Sequence, residues 1–178
     1  TLTVGNTVVN VAFTGNGSSV TNAFTPANDG TFVFGTSGGT QTYNGGLTTT
    51  SVGGTVTLNG TIASSDDAIV LGAVTLGSAT TVDTNSTTTN RADITIGAVT
   101  GGSQNLTLST EDNITGADIT ASGAISSVSA LTLNNVGGTA TLSGDVDAES
   151  LTVDNTVANV AINGDGSSVT NSVSFAND

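Results

Sequence analysis

Six acidic residues are the side chains whose type and spacing could do chemistry in this chain. They form one adjacent pair and one later run: Asp66, Asp67, Asp145, Asp147, Glu149 and Asp154. Ca²⁺ takes about six to eight oxygen ligands, and carboxylates in turns supply them. The pattern is neither an EF-hand loop nor a glycine-rich calcium repeat. We therefore keep two interpretations open: a calcium site built on these six residues, with no cofactor required for folding, or solvated turn residues that keep the chain soluble.

The overall composition excludes most other chemistry. The chain has 178 residues, a single Arg and no Lys, fourteen Asp and Glu, and a formal net charge of −13, with no His and no Cys. Nearly all nucleophile–base pairs need His or Cys, and nucleic acids need a basic surface. Anionic lipid would also repel the chain, and no apolar stretch is long enough to insert into a bilayer. We predict that it is not an enzyme and binds neither nucleic acid nor membrane.

Short strands separated by turns must position these acidic residues. Apolar residues alternate with Thr in TVTL (55–58), AIVL (68–71), DITI (93–96), NLTL (105–108), DITA (118–121), LTL (131–133), ATL (140–142) and LTV (151–153). Alternation places one set of side chains inside and the other outside. Gly-Gly and Asn-Gly pairs between the strands supply tight turns.

These signals predict an all-β fold, specifically a parallel β-helix (β-solenoid) built of short Val, Thr and Leu strands. Coils of about 20–25 residues would stack aliphatic side chains in a narrow interior. A β-sandwich is the alternative, but the chain has no Trp to anchor an inter-sheet core. Residues 1–50 are the least regular and contain all the aromatic residues except Phe175, so we expect an irregular or small sandwich-like module there.

An internal repeat relates the two ends of the chain. Residues 1–29 and 150–178 align without a gap at an offset of 149, with about 19 of 29 positions identical. We therefore interpret residues 1–149 as one unit, divided into the irregular module (1–50) and solenoid coils (51–149). Residues 150–178 then begin a second copy, as expected for a tandem array or for a subunit that prepares a surface for the next one.

Several phrases in the middle of the chain resemble a known class of proteins. ADITIGAVTG (92–101), QNLTLST (104–110), ALTLNNVGG (130–138) and TLSGDV (141–146) are similar to repeats of very large secreted bacterial β-strand-repeat proteins, the filamentous-haemagglutinin-like and autotransporter-adhesin-like proteins. The resemblance covers about 100 residues. It implies a right-handed parallel β-helix at the cell surface or outside the cell, and it transfers no catalytic or binding residue.

We therefore expect a structural segment of an extracellular bacterial fibre, sheath or giant adhesin that assembles head-to-tail with itself. Two alternatives stay open, a glycan- or host-binding adhesin module and a calcium-stiffened surface-layer component. Tyr43 and the N-terminal Phe residues are the candidates for stacking on a sugar. Thr-x-Thr motifs at 1–3, 40–42, 48–50, 55–57, 87–89 and 139–141 could order water, but their irregular spacing favours ordinary outward strand residues.

Overall fold

The computed structural model describes residues 1–85, 91–110 and 115–177, which form sixteen strands and no helix. None of these residues belongs to a helix that could cross a membrane. In chain order the strands are β1 Val11–Phe13, β2 Ser18–Val20, β3 Phe32–Tyr43, β4 Leu47–Thr48, β5 Val56–Ser64, β6 Ile69–Leu71, β7 Val74–Asp83, β8 Ile94–Ile96, β9 Val99–Thr100, β10 Leu106–Ser109, β11 Ile119–Ala121, β12 Ile125–Asn134, β13 Thr139–Leu142, β14 Val146–Val153, β15 Asn159–Ile162 and β16 Ser168–Phe175.

The strands stack in parallel as a β-solenoid of about seven turns, which confirms the predicted fold class. The larger sheet follows the order β1-β3-β5-β7-β10-β12-β14-β16, with β2 and β9 also paired into it. The smaller sheet follows β15-β13-β11-β8-β6-β4. The chain alternates between the two sheets once per coil, so strands pair with strands of the neighbouring coils, and the strands at the ends of each sheet pair on one side only.

The larger sheet bends within each coil. The pairing register shifts between Gly35 and Thr40 on β3 and between Leu58 and Gly60 on β5, as at β-bulges. Gly35 and Gly60 have φ of 71° and 68°, and this left-handed backbone turns the corner without a Cβ penalty. Each coil therefore has two straight segments in the larger sheet and a third in the smaller sheet.

Aliphatic side chains at matching positions form the core as vertical stacks. One stack runs through most of the larger sheet and consists of Val and Ile except for Phe32: Val11, Phe32, Val56, Val74, Val99, Ile125 and Val146. All but Val11 are buried. β-branched residues suit this position because they pack tightly on a pleated surface. Each coil therefore covers the apolar side chains of the one below it.

The first fifty residues contribute strands to the same larger sheet. β1 pairs in parallel with the first half of β3, β2 pairs with its second half, and β3 pairs with β5. The region therefore forms ordinary coils of the same solenoid. Its strands are hard to see in the sequence because β3 is interrupted by Gly35, Ser37, Gly38 and Gly39, which lie at the corner.

The two related end segments occupy different faces of the solenoid. Val11–Phe13 forms β1 in the larger sheet, whereas the matching residues Val160, Ala161 and Ile162 lie in β15 of the smaller sheet. Phe24 bridges to Leu47 in the smaller sheet, whereas its counterpart Val173 pairs with Leu151 in the larger sheet. The same alternating pattern thus fits either face, because each face requires only apolar residues inside and polar residues outside.

Candidate functional site

The six predicted calcium ligands lie in separate parts of the solenoid. Asp66 and Asp67 are in the turn between β5 and β6, whereas Asp145, Asp147 and Glu149 lie at the start of β14 and along its outer face. Asp154 directly follows β14. Within the described residues, no three acidic side chains are placed together so that they could hold a metal ion. A calcium site on these residues stays a prediction.

Carboxylates of the later run instead accept hydrogen bonds from the neighbouring coil. Asp145 Oδ1 accepts from the Gly166 N–H at 2.9 Å, and Asp147 Oδ2 accepts from the Ser127 N–H at 3.3 Å. Glu149 Oε2 accepts from the Ser129 hydroxyl at 3.1 Å. These donors lie 20 or 21 residues away, which is one coil. The acids therefore satisfy backbone and hydroxyl groups where the ladder of strand pairing stops.

Two further aspartates that the sequence did not single out make the same contact. Asp93 Oδ1 accepts from the Asp118 N–H at 2.9 Å, and Asp118 Oδ1 accepts from the Thr139 N–H at 2.7 Å. The three residues occupy the same position in successive coils: Asp93 and Asp118 directly precede β8 and β11, and Thr139 is the first residue of β13. Their shared motif, Asp before an Ile-Thr pair in DITI and DITA, is visible in the sequence.

Removing the Asp118 carboxylate should therefore weaken the stacking of two coils. We expect Asp118→Ala to lower the free energy of unfolding by about 1–2 kcal/mol, because the Thr139 N–H loses a charged acceptor. Asp118→Asn keeps a side-chain oxygen and should lose less than half as much. Thermal unfolding followed by circular dichroism measures both. Equal losses of stability for the two variants would show that this hydrogen bond does not explain the stabilising effect of Asp118.

Threonine hydroxyls form a regular ladder on the outside of the larger sheet, although their spacing in the sequence is irregular. Thr61 pairs with Thr81, 20 residues away, whereas Thr81 pairs with Thr107, 26 residues away. The whole row, which we call the hydroxyl ladder, is Thr40, Thr61, Thr81, Thr107, Thr132, Thr152 and Ser174. The motif at 87–89 lies outside the described residues. Unequal turn lengths hide the ladder, and neighbouring Thr pairs stabilise a sheet.

Four of the aromatic residues that were candidates for stacking on a sugar are not available for this contact. Phe24, Phe32, Phe34 and Tyr43 are at most 1% exposed. Their rings pack on one another, with Phe32 and Phe34 stacked at a centroid distance of 4.0 Å and Phe24 and Tyr43 at 5.8 Å. The prediction of a sugar-binding platform is therefore wrong for these four residues. They fill the wider interior of the first coils.

Tyr43 carries a phenol inside this cluster. Its Oη donates to Gln41 Oε1 at 2.9 Å, and Gln41 Nε2 donates to the Phe13 carbonyl at 2.7 Å. Burial raises the pKa of Tyr43 above its ordinary value of 10.0, because the phenolate would lose its hydration. The phenol is thus a polar group that the fold keeps neutral and hydrogen-bonded.

Tyr43 should make folding sensitive to alkaline pH. The Tyr43 phenol ionises near pH 10 in the unfolded chain but not in the folded chain. Its contribution to the free energy of unfolding is therefore complete below pH 10 and is lost as pH rises. The loss should be about 1.4 kcal/mol per pH unit above 10. Tyr43→Phe should remove this slope, although it leaves Gln41 without its donor and lowers stability at neutral pH. The chain has one Tyr, no Lys and no Cys, so urea unfolding at pH 8–12 isolates this group. An unchanged slope in Tyr43→Phe would contradict the assignment.

A surface groove of about 410 Å³ crosses three coils of the larger sheet. It is lined by Gly53, Gly54, Thr55, Ala73, Val74, Thr75, Ala98 and Thr100. None of these side chains titrates, so the groove supplies neither an acid nor a base. It forms because small residues line up at the same corner of successive coils.

Two further surfaces lie at the ends of the part of the solenoid that the structure describes. At one end, β16 pairs with β14 along one edge, and no described strand pairs with its other edge. Val173 and Phe175 point inward above Leu151 and Val153, yet each is 52% exposed because no coil covers them. At the other end, a groove of about 300 Å³ is lined by Thr1, Leu2, Phe13, Ser19, Val20 and Thr21. Of these end residues, only Thr1 and Phe13 belong to features that stand out in the sequence, and the apolar alternation of 169–175 could have indicated Val173 and Phe175.

No family model, no curated protein and no solved structure matches this chain. The resemblance to secreted bacterial β-strand-repeat proteins therefore stays a prediction from the sequence.

Proposed function

We propose that this chain is a structural, non-catalytic segment of an extracellular bacterial fibre, sheath or giant adhesin, and that it extends head-to-tail as a homopolymer or tandem array. The observation that carries this proposal is the parallel stacking of the coils, in which strands pair only with strands of the neighbouring coils. Each added coil therefore offers the same kind of contact to the next one.

The rest of the solenoid supports a mechanical role. Every coil is held by backbone pairing to its neighbours, by apolar stacks inside and by the hydroxyl ladder outside. Acidic side chains such as Asp118 and Asp145 accept hydrogen bonds from backbone N–H groups of a neighbouring coil. Stability in such a fold grows with each added coil, because each coil contacts only its neighbours. A fold of this kind suits a long, stiff rod.

The charge also fits an extended rod. Thirteen of the fourteen acidic residues follow position 65, and Asp29 is the only one before it. Side-by-side contact along the acidic part would bring like charges together, whereas end-to-end contact avoids this repulsion. A net charge of −13 should also keep the assembled rods apart.

Light scattering over a concentration series tests the proposal. We expect the weight-average mass of the purified chain to rise continuously with concentration from the 17.2 kDa of one chain, without a limiting oligomer. Calcium chloride or a chelator should be included in parallel, since calcium could bridge carboxylates. A mass of one chain at millimolar concentration in both conditions would contradict head-to-tail assembly.

A further inference from the structure

The chain contains four Asn-Gly pairs, at 16–17, 44–45, 59–60 and 163–164. We propose that Asn163 is a site of spontaneous modification, at which the side-chain amide is lost and an aspartyl or isoaspartyl residue forms. The other three pairs are held by contacts that oppose the same reaction. The inference does not depend on assembly between copies, so it stands or fails separately from the proposed function.

The reaction needs only the chain itself and water. The Gly nitrogen attacks the Asn Cγ and forms a succinimide ring, while the Cγ–Nδ2 bond breaks and the Gly proton leaves with that nitrogen as ammonia. Water then opens the ring at one of its two carbonyls, which gives aspartate or isoaspartate. Asn is one of the thermolabile residues of proteins, and Gly favours the ring because it has no side chain to hinder closure. The Asn carboxamide and the Gly N–H must both be accessible.

At Asn16, one neighbouring residue holds both reacting groups. Asn16 Oδ1 accepts from the Thr40 N–H at 2.9 Å, and the Gly17 N–H donates to the Thr40 carbonyl at 2.8 Å. Thr40 lies 24 residues away, in the next coil. Ring closure would break both hydrogen bonds and detach this turn from that coil, so the pair is protected.

At Asn59, the two reacting groups have separate partners. Asn59 Nδ2 donates to the Phe34 carbonyl at 3.1 Å, and the Gly60 N–H donates to the Ser78 hydroxyl at 3.3 Å. Gly60 is also buried, so the water that must open the ring has no direct access to it. This pair is protected by hydrogen bonding and by burial.

The pair at Asn44 lies inside a closed turn. The Gly46 N–H donates to the Tyr43 carbonyl at 2.8 Å, across Asn44 and Gly45. The Asn44 N–H donates to the Val20 carbonyl at 2.8 Å, and its side chain is partly buried. Ring closure rotates the backbone between the Asn and the Gly, and the hydrogen bond across the turn opposes that rotation. We therefore expect this pair to react slowly in the folded chain.

Asn163 differs from the other three in both respects. It is exposed and directly follows β15, in the turn that leads to β16. Within the part of the chain that the structure describes, neither its carboxamide nor the Gly164 N–H forms a hydrogen bond. The Asn163 N–H donates to the Leu142 carbonyl at 2.8 Å, which anchors the residue without engaging either reacting group.

Packing between coils requires the glycine that makes Asn163 reactive. A Cβ at Gly164 would lie 2.6 Å from the Asp145 Cα and 2.6 Å from the Gly144 carbonyl oxygen in the neighbouring coil. These are backbone contacts, so no larger residue fits at this corner. The turn therefore combines an exposed Asn with an obligatory Gly.

The products should loosen the same corner. Both add a negative charge close to Asp145 and Asp165, and like charges repel. Isoaspartate also lengthens the main chain by one methylene group, so Gly164 can no longer keep its close contact with the neighbouring coil. We expect hydrogen exchange in β16 to become faster in the modified chain than in the unmodified one.

Peptide mapping by mass spectrometry tests the site after incubation of the folded chain at mildly alkaline pH. Pepsin suits the digestion, because the single Arg leaves trypsin one cleavage site and acid stops the reaction. Asn163 should be modified about tenfold faster or more than Asn16 and Asn59, whose hydrogen bonds must break first. In urea, all four pairs should react at similar rates. A folded chain in which any other pair reacts as fast as Asn163, or in which Asn163 stays intact while the unfolded chain reacts, would overturn the inference.

Asn163→Gln is the matched variant for a second measurement. It keeps an exposed carboxamide, but Gln would have to close a larger ring and reacts far more slowly. Its circular dichroism spectrum should match that of the unmodified chain. On ion-exchange chromatography, the unmodified chain should first develop a more acidic species that is absent from Asn163→Gln at the same time. An acidic species that forms equally fast in both proteins would contradict the assignment to Asn163.

Discussion

Gly60→Ala should be among the most destabilising single substitutions in this chain, with a loss of about 3 kcal/mol or more. Gly60 turns the corner of β5 with φ of 68°. A Cβ there would overlap the carbonyl oxygens of Thr36 and Gly39 in the preceding coil. Backbone atoms cannot move aside without breaking the pairing between β3 and β5, so the coils must separate.

Gly38→Ala is the matched control for this prediction. Gly38 has the same φ of 68°, but a Cβ there would meet no atom within 4 Å. The control therefore carries the conformational cost of about 1 kcal/mol without the clash. Urea unfolding followed by circular dichroism compares the two variants. Equal losses would mean that the coils do not approach as closely at this corner as described.

Phe34→Ala should cost about 3–5 kcal/mol. Phe34 is fully buried, stacks on Phe32, and meets Tyr43 edge-on at a centroid distance of 6.0 Å. Truncation would leave a cavity that the neighbouring rings cannot fill without leaving their own contacts. Because coils of a solenoid unfold in part, hydrogen exchange should show that residues 11–64 lose protection first.

Phe175→Ala makes the same chemical change at a half-exposed position. It should cost about 1 kcal/mol in the monomer, since roughly half of the ring is already in water. If Phe34→Ala were as mild as Phe175→Ala, the aromatic cluster would not form the core of the first coils. Both measurements should be made at the same low protein concentration.

The sequence predicts the middle of the solenoid well because its strands follow strict alternation. All but the first residue of TVTL (55–58) and NLTL (105–108) lie in β5 and β10, and their Leu residues are buried. In these segments the strand preference of the residues agrees with their burial, so alternation alone is sufficient to predict the strands. β7 is less visible because Gly77, Ser78 and Ala79 interrupt its alternation where the coil turns a corner.

Register and faces lie beyond what the sequence alone specifies. The hydroxyl ladder is hidden because neighbouring rungs are separated by turns of different length, as between Thr81 and Thr107. The repeat at the ends is detected by identity, yet it cannot fix which face each copy occupies, because both faces accept the same alternation. The spacing of the acidic residues indicates possible metal ligands, but it does not show that Asp145 and Asp147 contact donors one coil away, because such contacts depend on coil length.

Electron microscopy of the concentrated chain tests the central claim that this solenoid continues from copy to copy. Eight strands follow one another along the larger sheet, and neighbouring strands lie about 4.8 Å apart. We therefore predict unbranched threads one solenoid wide, with an axial repeat of about 38 Å. Single particles one copy long, or closed pairs that do not extend, would contradict the account.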